Sequence, residues 1–476
     1  MSALAAAAAR LRQVLGPGAV HDDPYETALL GYDAGLDESP PVLAVLPAST
    51  AEVVEVVRTA GELDLPVVAR GGGTGLSGGA TCPRGGIAVL MARMNRILSI
   101  EASTRTAVVQ AGVPNLELSR QSASLGLHFA PDPSSQKAST IGGNIAENAG
   151  GPHTLRYGVT AGHVLAAEVV LHDATVRWLE APTGPGGYDL LGVLVGSEGT
   201  LGLVTTARVR LTPLPEAVVT LLAAFPSVRA AGEAVTRIVA AGIVPAALEM
   251  MDRLTLRAIE AYARADYPTE AQAVLLAEVD GLAEEVDEAA AQVERICREA
   301  GACTLRRARD QRDRDRLWKG RKEAGGALGR LARHFYVMDG VVPVSEVPRL
   351  LASIDEIAER HGLPVGTLVH AGDGNVHPNV LFNDRHEIER VLACADDIER
   401  ACLKLGGSLS GEHGVGAEKL HLMREMFSEV DLDTMRAVRK AFDPGERLNP
   451  GKVLPPPAGT PLPPRPAVLP GVGRWI

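Results

Sequence analysis

RGGGTGLSGG, residues 70–79, decides which kind of fold this chain adopts. It follows a strand, helix and strand pattern: VLAVLP, then STAEVVEVVRTAGEL with Ser49 or Thr50 as its cap, then PVVAR. Within the stretch, Gly73-x-Gly75-x-x-Gly78 has the spacing of a dinucleotide fingerprint, so the first expectation is a Rossmann fold binding NAD. Context removes it. That motif must open a helix, whereas Gly79, Pro83, Gly85 and Gly86 follow here and leave no room for one. The other use of so many glycines is a loop whose backbone N–H groups line up around a pyrophosphate with no Cβ atoms in the way.

Two further glycine-dense loops, 142–151 and 196–202, abut apolar strands in the same region. Between 87 and 210 short strands are expected at IAVLM, ILSIE, TAVVQAG, HVLAAEVVLHD, TVRWLE and LLGVLVGSEGTLGLVTTARVRL, with a helix over PNLELSRQSASLGL. Three such loops exceed what turns alone require. They imply a long ligand approached closely by backbone, and a dinucleotide carrying an extra ring system fits.

At 476 residues the chain is too long for one ordinary core, and two or three domains are expected. Hydrophobic content of 46% beside 22% charged residues describes a folded globular protein, and with aromatics at 3% its core must be built from Val, Leu, Ile and Ala. A net charge of −11 argues against nucleic acid, whose partners carry a basic footprint. The five cysteines form no C-x-x-C, so neither a disulfide framework nor a cluster bound by closely spaced thiolates is expected, and a reducing cytoplasm suits them. Arg10 and Arg12 interrupt the apolar N-terminus where a signal sequence would continue, so an ordinary first helix ending at Gly16 is the better reading, although composition leaves an organellar transit peptide open. No apolar run is long enough to span a membrane.

Pro213 and Pro215 mark a boundary. After it come a strand (VVTLLAAF), a helix (SVRAAGEAVTRIVAAG), a second helix (MMDRLTLRAIEAYAR), a strand (QAVLLAEVDG) and a long helix over 282–300, an order resembling a ferredoxin-like layer. The charge run RRARDQRDRDRLWKGRKEAGGALGR reads by default as a solvated helical face, with Arg321 and Lys322 able to reach a carboxylate instead. Further on, HAGDGNVHPN (370–379) reads as a hairpin turning on Asp373-Gly374, since both central positions of a type I′ turn need positive φ. That register sets His370 directly opposite His377, with Asn379 on the same face. Two facing imidazoles suit one divalent metal that takes a third, anionic ligand; Glu412 in SGEHGVG is the candidate, with His413 beside it free to touch a substrate. A solvated histidine pair is the bland alternative. A metal-dependent hydrolase and a non-catalytic cofactor-binding subunit are also compatible with these residues.

Together RGGGTGLSGG, DPSSQKASTIGGNIAENAGG, GSEGTLGLVT, ALEMMDR, WKGRKEA, HAGDGNVHPN, SGEHGVG and LNPGKV lie in the order found in FAD-linked oxidases and dehydrogenases of the vanillyl-alcohol oxidase (PCMH-type FAD) superfamily. The chain resembles its glycolate oxidase catalytic subunit and D-lactate dehydrogenase branch from about residue 20 to 454. The resemblance implies an α+β protein: an N-terminal helical segment (1–37), a two-lobed PCMH-type FAD-binding domain (38–215), a ferredoxin-like cap carrying the substrate and metal site (216–442), a return to the FAD domain (443–454) and a Pro-rich tail (455–476). By the same resemblance Arg70, Gly71, Gly72, Gly73, Thr74, Gly75, Leu76, Ser77 and Gly78 would cradle the FAD pyrophosphate. Pro131, Asp132, Ser139, Thr140, Gly143, Asn144 and Asn148 would line the flavin and its chain, with Gly199 and Val204 along the cofactor and Asn449 returning to it. Relatives that attach FAD covalently often carry a His just after the first glycines; Thr74 stands there, which implies non-covalent FAD.

The resemblance further implies a divalent metal, zinc or similar, on His370, His377 and Glu412, with His413 as base and Arg321 and Asn379 touching substrate. The expected reaction oxidises a small D-2-hydroxy acid, D-lactate or glycolate, to the 2-oxo acid by metal-assisted hydride transfer to flavin N5. Where 2-hydroxyglutarate-specific relatives place a Lys, this chain offers Val337, which weakens that alternative. Electrons would pass on to an acceptor or a separate iron–sulfur subunit. A homodimer and peripheral attachment of a cytoplasmic protein to a membrane are compatible with the resemblance.

Overall fold

The computed structural model describes residues 2–36, 38–182 and 187–462. Its contacts divide into two units, one made of residues 1–150, 159–214 and 413–476, the other of 151–158 and 215–412.

The first unit opens with the helix Ala3–Leu15, closed by Gly16 at φ 86°, as the sequence predicts. Its Ala7, Ala8, Leu11 and Leu15 face is buried, and it packs against the helix Thr50–Glu62. That second helix is capped by Ser49, whose Oγ accepts from Glu52 N–H at 3.3 Å, and it buries Val53, Val56, Val57 and Ala60 at helical spacing. It links two strands of a four-stranded sheet, Leu43–Val45 and Val67–Arg70, which run parallel on either side of Ile87–Leu90, with Val20–His21 antiparallel at the edge. The glycine loop therefore starts at the carboxyl end of a parallel strand, where open α/β sheets bind ligands. A five-stranded antiparallel sheet forms the other lobe, in the order Ile97–Glu101, Thr106–Gln110, Leu203–Arg210, Val164–Val170 and Val176–Glu180. Val109, Phe129, Ile141, Ile145, Val169 and Leu194 fill its core.

Two segments differ from the sequence reading. Leu190–Leu194, read as the start of a strand, is a short helix capped by Asp189, and Ile141–Glu147 is a helix that its paired glycines concealed. The C-terminal segment closes this unit: Val67 and Leu448 form a parallel bridge, and fully buried Lys452 donates from Nζ to Gly79 O at 3.0 Å and Thr81 O at 2.8 Å. Of the Pro-rich tail, residues 455–462 carry no helix or strand, and 463–476 lie outside the described residues.

The second unit is built on an eight-stranded sheet. Its order is Thr304–Arg307, Ala217–Phe225, Ala273–Gly281, Ala247–Asp252, Val365–His370, Asn375–Phe382 and His334–Val337, with Gly340–Val341 also pairing with Asn375–Phe382, and each pairing is antiparallel. Strands Ala273–Gly281 and Asn375–Phe382 are buried along nearly their whole length, so both sheet faces are covered, as the continuous apolar runs require. The helix expected over 250–264 is corrected: Ala247–Asp252 is a central strand, and the helix Arg253–Ala263 begins only after Asp252 caps it.

Candidate functional site

The hairpin brings its histidines together by a register other than the expected one. His370 pairs with Asn375 and Leu368 with His377, so the connection is four residues, 371–374, rather than a two-residue turn. Gly374 alone takes positive φ (82°); Asp373 does not, and a type I′ turn needs both. A shift of two positions preserves which face each side chain occupies, whereas a shift of one would have reversed it. His370 and His377 thus lie diagonally on one face, ring centroids 5.0 Å apart and nearly perpendicular.

Both imidazoles turn Nε2 toward one carboxylate oxygen. Glu412 Oε1 is 3.3 Å from His370 Nε2 and 3.1 Å from His377 Nε2, and donor atoms of the three side chains all lie within 4.8 Å of one another. The other ring nitrogens are engaged: His370 Nδ1 lies 2.7 Å from Glu249 Oε1, and His377 Nδ1–H donates to Met338 O at 3.0 Å. These contacts orient each ring and leave Nε2 for a ligand, the outer-shell pattern of metal-binding histidines. Burial opposes charge on His370, but the Glu249 and Glu412 carboxylates outweigh it and hold the imidazolium well above its ordinary range. Burial likewise opposes ionisation of Glu412, and the two imidazoles outweigh it, holding its carboxyl well below the usual range. Two nitrogens and an ionised oxygen, converging and enclosed, are a donor set that fits a divalent transition metal.

Two buried acids support this trio, and sequence reasoning did not single out either. Glu249, fully buried in the strand Ala247–Asp252, binds His370 through Oε1, while its Oε2 accepts from Arg321 Nε and Nη2, each at 2.6 Å. Asp339 accepts from Ser410 Oγ at 2.7 Å and from the N–H groups of Gly411 and Glu412 at 3.0 Å, fixing the loop that presents Glu412. Arg321, read from the charge run as a candidate carboxylate binder, is buried with its fork on Glu249, which leaves Nη1 outside that pair. Asn379 is buried on the histidine face and donates from Nδ2 to Gly366 O at 3.1 Å and His377 O at 2.8 Å.

Asp252 locks the neighbouring strand by accepting from Thr255 N–H at the start of its helix and from Thr367 N–H, both at 2.8 Å. Burial pushes its carboxyl up to about 6, against these two bonds. The folded state then holds the proton more tightly than the unfolded chain between 3.8 and about 6, so Asp252 makes stability fall as pH rises through that window. The contribution is up to about 3 kcal/mol. Asp252→Asn is expected to remove this component, visible as a changed slope of Tm against pH between pH 4 and 7; parallel slopes for variant and parent would refute it.

In the first unit, the initial glycine loop packs edge-on against residues 138–143. A Cβ on Gly71 would collide with Thr140 Oγ1 and one on Gly72 with Ala138 O. Gly73 stands at φ 66°, where a side chain is disfavoured. Arg70, Gly71, Thr140, Gly143, Gly199 and Val204 line one cleft. Thr140 caps the helix Ile141–Glu147, accepting from Gly143 N–H at 3.3 Å, and that helix turns its N-terminal end to the cleft. Ser139 Oγ and Asn144 Nδ2 are buried without a hydrogen-bond partner, polar atoms of the kind a bound cofactor would satisfy. A glycine cradle with orphaned donors beside it fits a dinucleotide.

The remaining expected cofactor residues divide. Gly75 and Leu76 lie beside residues 33–35, with Gly75 O accepting from Ala34 N–H at 2.8 Å, and Ser77 O accepts from Ala417 N–H at 2.9 Å. Gly78 O accepts from Thr81 Oγ1 at 2.8 Å. Pro131 O accepts from Asn115 Nδ2 at 2.9 Å; Asp132 follows it in the chain. Asn148, at φ 53°, accepts from Ala161 N–H at 2.8 Å, and Asn449 Nδ2 donates to Gly79 O and Glu198 O at 3.0 and 2.6 Å. His413 is half-buried and begins the last segment of this unit, immediately after Glu412.

The model of the C-terminal domain of FAD linked oxidases matches residues 214–453, and that of an FAD binding domain matches residues 41–180. The glycolate oxidase subunit GlcD of Escherichia coli (strain K12) is 45% identical over 419 residues, covering 87% of this chain and 84% of that protein. A D-lactate dehydrogenase of Archaeoglobus fulgidus is 36% identical over 430 residues, 88% of this chain and 94% of that protein. The crystal structure of p-cresol methylhydroxylase with substrate bound aligns at TM-score 0.79 with 19% identity, over 94% of this chain and 96% of that one, a likeness of fold.

Proposed function

Because the chain belongs to the family of FAD-linked oxidases, and is thereby an FAD-dependent oxidoreductase of hydroxy acids, we propose that its substrate is a small D-2-hydroxy acid such as D-lactate or glycolate. The 2-oxo acid is the product, and a divalent metal, zinc by its donor set, assists. The observation that carries this reading is the convergence of His370 Nε2, His377 Nε2 and Glu412 Oε1, with Arg321 joined to His370 through Glu249. Bound FAD supplies the two-electron acceptor for the hydride that leaves Cα, and the metal supplies Lewis acidity that makes the α-hydroxyl easier to deprotonate. Arg321 binds the substrate carboxylate through Nη1 while Glu249 keeps its planar fork from rotating. Asn379 orients the substrate from the histidine face, and His413 takes the hydroxyl proton as general base. Val337 pairs with Asn379 across the sheet, so that position offers no lysine for a second carboxylate, which favours a monocarboxylate over a 2-hydroxyglutarate.

Anaerobic addition of D-lactate or glycolate is expected to bleach the oxidised flavin band, and protein stripped with a chelator is expected to keep its colour until zinc is restored. Failure of both acids to bleach it would overturn the substrate reading; unchanged bleaching after chelation would remove the metal. Arg321→Lys keeps the charge but loses the fork. It is expected to lower kcat/KM by about 10–100-fold, the loss of one or two charge-assisted bonds, and unchanged kinetics would exclude Arg321 from the site.

A further inference from the structure

We propose that Glu198 is the positioning residue for His413, an inference that rests on the assignment of His413 as the base. Glu198 lies in GSEGTLG, a stretch read from sequence only as a cofactor loop, and it is buried at φ 53°. Its two carboxylate oxygens accept separately, Oε1 from Val415 N–H and Oε2 from Gly416 N–H, each at 2.8 Å. One side chain thus clamps two consecutive peptides just beyond His413, removing the freedom of the backbone that carries the imidazole. The segment has no slack on its other sides. Gly414 stands at φ 88°, and a Cβ there would sit 2.6 Å from Glu147 Oε2 and 2.7 Å from Glu198 Oε1, so both acids crowd one point beside the chain. Gly416, at φ 52°, lies so close to Ser77 that a Cβ would collide with its carbonyl oxygen.

Glu198 is itself held by the chain's last segment. Its backbone carbonyl accepts from Asn449 Nδ2 at 2.6 Å, and Asn449 Oδ1 accepts from Lys452 Nζ at 3.1 Å. Glu147 faces the same place with Oε2 unpartnered, and burial, with the neighbouring Glu198 adding to it, raises its carboxyl well above the usual range. A clamp of this kind matters to rate more than to substrate affinity, because a base misplaced by about 1 Å can forfeit about 10²-fold.

The test is a double-mutant cycle read on the rate constant of flavin reduction by D-lactate in the FAD-loaded enzyme. Glu198→Gln replaces one acceptor with a donor facing a backbone N–H. It is expected to slow reduction about 10–100-fold with FAD content unchanged and substrate half-saturation within about twofold. In a His413→Asn background the same substitution is expected to cost almost nothing further. Equal losses in both backgrounds would overturn the proposal while leaving His413 as the base. Full activity of His413→Asn alone would overturn the base assignment and the proposal with it. Glu198→Asp, which keeps the charge on a shorter arm, is expected to recover part of the rate. Loss of FAD from both the Gln and Asp variants would show a carboxylate that houses the cofactor, and the proposal would fall.

Discussion

His377→Ala is expected to lower turnover of D-lactate or glycolate by about a thousandfold while the purified protein keeps its flavin colour. The size follows from the proposed role: Lewis-acid stabilisation of a developing alkoxide is worth several kcal/mol, and each 1.4 kcal/mol is about tenfold. His377 is one of two imidazole donors in the trio, and its removal leaves Glu412 Oε1 with His370 alone. Retention of FAD follows because the glycine cradle, Ser139 and Asn144 belong to the first unit, whereas the histidines stand on strands of the second. Turnover, flavin absorbance and bound metal are measured on one preparation. A variant that holds its metal and turns over normally would end the metal reading, and one that loses FAD would mean the hairpin supports the cofactor unit instead.

Glu249→Ala is expected to damage stability and site together. The side chain is fully buried and stands between the Arg321 guanidinium and the His370 ring. Removing one member of a buried ion pair strands the other charge, at a cost of about 3–5 kcal/mol, and for a unit of this size that lowers Tm on the order of 10 °C. The same substitution releases His370 Nδ1, so metal affinity should fall about 10–100-fold, as it does when an outer-shell partner of a ligating histidine is lost. Calorimetry and metal titration of the same protein separate the two effects. A Tm within about 2 °C of the parent would show that Arg321 finds another partner or water.

How much of this was legible in advance depended on whether the deciding partner lay nearby in sequence. The histidine face of 370–379 was readable because a strand alternates sides every residue, so even a turn of the wrong length, off by two, kept His370, His377 and Asn379 together. Gly374 misled the turn assignment because its positive φ answers to a neighbour: a Cβ there would collide with Val342 O. Glu249 was not readable. A carboxylate within ALEMMDR looks like the polar entry to a helix, and what makes it a strand residue is neutralisation by Arg321 and His370, 72 and 121 residues away. Glu198 was hidden for the same reason, since its partners Val415 and Gly416 are 217 and 218 residues downstream. The helix Ile141–Glu147 escaped because Gly142 and Gly143 argue against helix, yet a side chain at Gly142 would press on Ala111 at 2.6 Å.

Lys452 reaches back 373 residues to Gly79, and Leu448 lies beside Val67. On the ribosome, the nucleotide-holding lobe therefore waits, half made, while the intervening polypeptide is translated, an interval of tens of seconds at cellular elongation rates. The later-encoded sheet, nearly continuous in the gene, has its strands available before that lobe receives its last piece. Nascent chains halted short of codon 452 should consequently emerge colourless.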